Sequence, residues 1–188
     1  MRNLAAATAI VCLFVQPGSA QERRELGAHQ HGHGTLSIAI EGTTVRMELE
    51  VPGNDIVGFE HTAKTKAQRA AVEKGKAQLS APLDLFTFPP GAGCKVTQAD
   101  VTIGSERHEE EKPGAQGKHA GHDHDHSEFR AAYTLECIAV NHLTSVEFPY
   151  FGLFKAADGL AINIVTPKGQ SRFEVTRAKP RVDLSGMM

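Results

Sequence analysis

The 188-residue chain sets 20 Lys and Arg against 22 Asp and Glu, for a formal net charge of −2. Its 40% hydrophobic content suffices for one globular core, at roughly 100–200 residues per domain. The near-neutral balance argues against a nucleic-acid binder, which favours a basic surface. Histidine is the outlier, with ten residues gathered mostly in two short tracts.

The chain starts with a positive Arg2, an apolar run over residues 4–15 and the small-residue string Pro17-Gly18-Ser19-Ala20. This order predicts a secretory signal peptide, residues 1–20, cut after Ala20. The run is shorter than the roughly 20 residues of a spanning helix. Cys12 lies inside the run, where it does not suit a lipoprotein cleavage site. The expected product is one exported, soluble domain, residues 21–188, without membrane insertion.

Residues 21–28 read as a frayed start. Residues 35–40 and 45–51 alternate apolar and polar side chains on either side of Glu41-Gly42-Thr43-Thr44, which predicts a hairpin with one wet face. Pro52-Gly53-Asn54 reads as its end. Thr65-Lys66-Ala67-Gln68 has the form of a capping box. It opens a helix whose small apolar stripe is Ala67, Ala71, Gly75 and Leu79, stopped by Pro82. Phe86 and Phe88 are placed to pack below it. Strands are expected over 94–103, 129–139, 160–164 and around 173–175, with an aromatic turn or short helix over 148–154.

The insert at 105–128 holds His108, His119, His122, His124 and His126 among Gly, Pro and acidic residues. It has too little apolar surface to offset the entropy of ordering, so it reads as a disordered loop. The expected class is therefore α+β: a mostly antiparallel sheet, one main helix and a disordered His-rich insert. Without Cys12, two cysteines remain, Cys94 and Cys137. In an oxidising compartment they form a disulfide, worth about 4 kcal/mol in the chain-entropy model. Two buried free thiols are the alternative; the absence of CxxC disfavours a Cys–Cys metal site.

The chemistry lies in the histidines. His122-Asp123-His124-Asp125-His126 interleaves imidazoles with carboxylates, and His119 stands close by. Imidazole suits zinc, copper and nickel, and carboxylate can complete a zinc shell. In His29-Gln30-His31-Gly32-His33, alternate residues of an extended segment share one side, so three imidazoles can line one face. Gly32 and Gly34 are expected to let that backbone close on an ion. Glu60-His61 could supply a fourth ligand if the hairpin folds back on the helix. His142, beside Asn141, reads as structural.

No HExxH, GxSxG or P-loop occurs, and Gly32-His33-Gly34 lacks the third glycine of a dinucleotide fingerprint. The expectation is a metal-binding protein and not an enzyme. A zinc-dependent hydrolase, with Glu60 as its candidate base, is the rival. A transporter-docking domain that uses the His-rich insert as an arm is the third reading.

Two stretches carry a family resemblance: His31-Gly32-His33-Gly34-Thr35-Leu36-Ser37-Ile38-Ala39-Ile40-Glu41-Gly42, and Val51-Pro52-Gly53-Asn54-Asp55-Ile56-Val57-Gly58-Phe59-Glu60-His61 followed by Thr65-Lys66-Ala67-Gln68. The chain resembles the ZrgA-type family of exported zinc-binding proteins across nearly all of its mature length, the cysteine pair and His-rich insert included. The resemblance implies a periplasmic protein that captures or buffers Zn2+ and assists zinc uptake in Gram-negative bacteria. A zinc ABC transporter or its binding protein is the implied partner.

Overall fold

The computed structural model describes residues 32–106 and 126–188. The expected signal peptide and the body of the His-rich insert lie outside these residues. Six strands form one sheet: β1 (His33–Glu41), β2 (Thr44–Pro52), β3 (Cys94–Glu106), β4 (His126–Cys137), β6 (Gly159–Thr166) and β7 (Gly169–Thr176). Their order is β3-β4-β2-β1-β6-β7. Every pairing is antiparallel except β1 with β6, which makes the sheet mixed. A second, two-stranded sheet pairs β5 (Ser145–Glu147) with β8 (Arg181–Asp183).

The α+β class holds in its broad form. Alternation drives the large sheet: Leu36, Ile38 and Ile40 of β1 and Val45, Met47, Leu49 and Val51 of β2 are buried. Across β4, Phe129, Ala131, Tyr133, Leu135 and Cys137 continue that face. The intervening residues, such as Glu48, Glu50 and Arg130, face solvent. Strands β3 and β4 reach further than expected, so residues 105–106 and 126–128 belong to the hairpin that bears the insert.

The main helix is α2 (Lys66–Leu79), with the predicted capping box formed by Thr65 and Gln68. Its buried stripe is Val72, Gly75 and Leu79; Ala67 is exposed and Ala71 half-buried. A strict four-residue repeat drifts around a helix of 3.6 residues per turn, whereas a three-then-four spacing stays on one side. A Cβ on Gly75 would stand 2.7 Å from Ile56, so the glycine permits close helix packing. Tyr133 donates its hydroxyl to the Leu79 carbonyl (2.8 Å), tying the end of α2 to β4. Burial pushes this phenol well above its ordinary pKa.

Three short helices complete the cover: α1 (Gly53–Val57), α3 (Pro82–Leu85) and α4 (Tyr150–Leu153). Helix α1 stands where the sequence reads only as a hairpin terminator. Cys94 and Cys137 face each other across β3 and β4 and are joined by a disulfide. It closes the end of the hairpin opposite the insert. Among the described residues no helix is long and apolar enough to cross a membrane.

Candidate metal centre

The sheet order brings the roots of the two His-rich tracts to the same end of the sheet. Strand β1 begins there at His33, β4 begins at His126, and β2, which lies between them, ends there at Pro52. The register settles which way each root faces. Thr35 pairs with Glu50, and Glu50 with Arg130, on the solvent side. His33, half-buried, has the parity of Thr35, and His126, exposed, that of Arg130, so both belong to the side opposite the core, where Glu128 between His126 and Arg130 is covered. Two strand steps of about 4.8 Å separate β1 from β4, or about 10 Å laterally.

The first root is fixed through its backbone. Gly32 adopts a left-handed φ of +82°, which disfavours any residue with a Cβ. Its N–H donates to Asp55 Oδ1 at 3.0 Å. Its carbonyl accepts from the N–H groups of Asp158 (2.7 Å) and Gly159 (2.9 Å). His33, half-buried, then lies over Gly159: a Cβ there would stand 3.0 Å from the imidazole Cδ2. Asp55 is 3% exposed, a carboxylate buried within α1. Its charge, after burial itself, raises the pKa of Tyr150, whose hydroxyl has no hydrogen-bond partner among the described residues.

The expectation for the two glycines divides here. Gly32 supplies a special backbone conformation. Gly34 has an ordinary strand conformation and serves packing: a Cβ would stand 2.4 Å from Val51 Cγ1 and 2.8 Å from the Glu50 carbonyl. Neither glycine leaves the backbone loose at this point.

The second root is held by both a side chain and the backbone of Glu60. His126 Nδ1 lies 2.6 Å from Glu60 Oε2. The Glu60 carbonyl accepts the N–H of Ser127 at 2.7 Å. Ser127 packs on Gly53, where a Cβ would stand 2.3 Å from Ser127 Oγ. The segment from α1 to Glu60 therefore touches both roots, through Asp55 at Gly32 and through Glu60 at His126. On the solvent side Arg130 donates to Glu128 (2.9 Å) and stands 3.7 Å from Glu50.

Glu60 thus meets the root of the second tract at His126. His61 engages local partners: Nδ1 is 3.0 Å from the Thr62 carbonyl, and the ring stacks on Phe59 at 4.9 Å. Its Nε2 is 3.5 Å from Gln68 Nε2. His142 lies 3.2 Å from the Gly91 carbonyl, as a structural contact. His29, His31, His119, His122, Asp123, His124 and Asp125 lie outside the described residues. Among those described, no three His, Cys, Asp or Glu side chains are grouped to hold an ion.

Asp55, Gly159 and the pairing of His126 with Glu60 are absent from the sequence reading. The one available signal for Asp55 was its place inside the Val51–His61 stretch, three residues beyond β2.

Residues 28–184 match the model of the ZrgA family zinc uptake proteins. A search of the curated proteins finds no match. The family match spans most of the chain.

Proposed function

We propose that this chain, which belongs to the ZrgA zinc uptake family, captures Zn2+ in the periplasm after export and delivers it to a zinc transporter or its binding protein. One observation carries the reading: both His-rich tracts are rooted on the solvent-facing side of the same sheet end, at His33 and His126. Ions taken there stay accessible to a partner. The disulfide fits an oxidising compartment. The signal-peptide pattern at residues 1–20 supplies the route.

The tight class of site is assigned to His29, His31 and His33. Neutral imidazoles favour zinc, with copper and nickel as the competing ions. His126, with His119, His122, His124, Asp123 and Asp125 of the insert, forms a weaker class. Glu60 acts on His126 as an orienting carboxylate. With Nδ1–H directed at Glu60, the ring presents Nε2 to a metal, a common arrangement for ligating histidine. His61 supports the corner between α1 and α2.

The protein acts by binding and not by catalysis: the sequence has no metalloprotease or nucleophile motif. Zinc titration of the exported protein with and without residues 107–125 tests this reading. The tight class survives the deletion and the weak class disappears. Loss of all zinc binding on deletion would overturn the assignment to the N-terminal tract. Tight-site affinity also falls between about pH 7 and pH 5, because imidazole, with an ordinary pKa of about 6.5, must be neutral to coordinate. Equal affinity at both pH values would assign binding to carboxylates.

A further inference from the structure

We propose that Asp55 is a positioning residue for zinc capture: its buried carboxylate fixes the Gly32 peptide and so holds His33 at the solvent-facing end of β1. The proposal rests on the assignment of the tight site to the N-terminal tract. Asp55 touches no metal in this account and acts through the backbone.

Burial is the first observation. Among the described residues, the two buried acids are Asp55, 3% exposed, and Glu128, 5% exposed, and both stand at the His-bearing end of the sheet. A buried carboxylate is costly unless it is hydrogen-bonded or paired.

The target of that bond is the second observation. Gly32 N–H donates to Asp55 Oδ1, and the Gly32 carbonyl accepts from Asp158 and Gly159. The residue is therefore bound at both its N–H and its carbonyl, and its left-handed φ sets the direction in which the chain enters β1. His33 follows directly, over the bare Cα of Gly159. Removing the carboxylate frees the N–H side of Gly32 while leaving the β1–β6 pairing. His33 then loses its fixed position at the start of β1, and capture through it costs more ordering entropy.

The test is zinc titration of the full chain carrying Asp55→Ala or Asp55→Asn, with thermal unfolding of each metal-free protein. Asp55→Ala weakens the tight class at least tenfold and leaves the insert class unchanged. Asp55→Asn, which keeps an oxygen acceptor in nearly the same place, restores affinity to within about threefold of the parent. Folded Asp55→Ala protein with parental tight affinity overturns the proposal. So does equal weakening of both classes, which marks a merely structural role. His33→Ala is the control. If it leaves the tight class intact, the tract assignment and this proposal fall together; if it abolishes the class while Asp55→Ala does not, only the positioning role falls. Should Asp55→Ala not fold, hydrogen exchange on the parent decides. A Gly32 amide protected in the metal-free protein supports the proposal, and one exchanging at the rate of an unstructured chain overturns it.

Discussion

The two His-rich tracts leave the same end of one sheet, yet their roots are held differently. At Gly32 the chain is fixed by three backbone hydrogen bonds, one of them to a buried carboxylate. At His126 the hold combines a backbone bond, from Ser127 N–H to the Glu60 carbonyl, with an imidazole–carboxylate contact whose histidine side chain is 46% exposed. At the first root the fixed Gly32 peptide sets the position of His33. A root held by a half-exposed side-chain pair can release its histidine to an incoming ion. The proposed tight class at the first tract and weaker class at the second build on this contrast.

The largest effect sharpens the contrast by sparing both roots. Replacing Cys94 and Cys137 with Ser opens the far end of the β3–β4 hairpin, whose cysteines are 43 positions apart. The expected loss is about 4 kcal/mol, read from the urea midpoint. Both classes of zinc site persist wherever the variant remains folded. Parental stability in the double variant, or alkylation of two thiols in the unreduced exported protein, would contradict the bond.

Gly34→Ala acts beside the first root. The added Cβ meets Val51 and the Glu50 carbonyl well inside contact distance, so a cost of about 1–3 kcal/mol is expected from overpacking. Tight-site affinity falls with it, because β1 must shift away from β2. A neutral effect on the unfolding midpoint would mean that the strands separate without loss.

Glu60→Gln acts on the second root alone. A half-exposed side-chain contact of this kind contributes at most about 1 kcal/mol, so stability changes little. The weak class loses affinity through His126 while the tight class is unaffected. A fall in the tight class would join the two roots into one site and dissolve the contrast.

What the sequence made legible follows from the range over which each signal acts. Alternation over residues 35–51 and the Thr65–Gln68 capping box are local signals, and the hairpin and α2 follow them. Helix α1 escaped because five residues opening on Pro52-Gly53 carry no helical period. Strands β5 and β8, three residues each, are too short to show alternation. The parallel pairing of β1 with β6 is a long-range choice that no local pattern encodes. The same limit applies to the candidate site. His33, Glu60 and His126 stand out by residue type, but the contact of Glu60 with His126 spans 66 positions. Asp55 offered no chemical motif, because its role depends on Gly32 arriving beside it.

The central claim, that the first zinc ion goes to the N-terminal tract, is tested most directly by following histidine ring nitrogens by NMR as zinc is added to the full chain. The account predicts that the first equivalent shifts the His33 ring nitrogens and leaves those of His126 unchanged until later additions. A first equivalent that moves His126 and leaves His33 unmoved would contradict it.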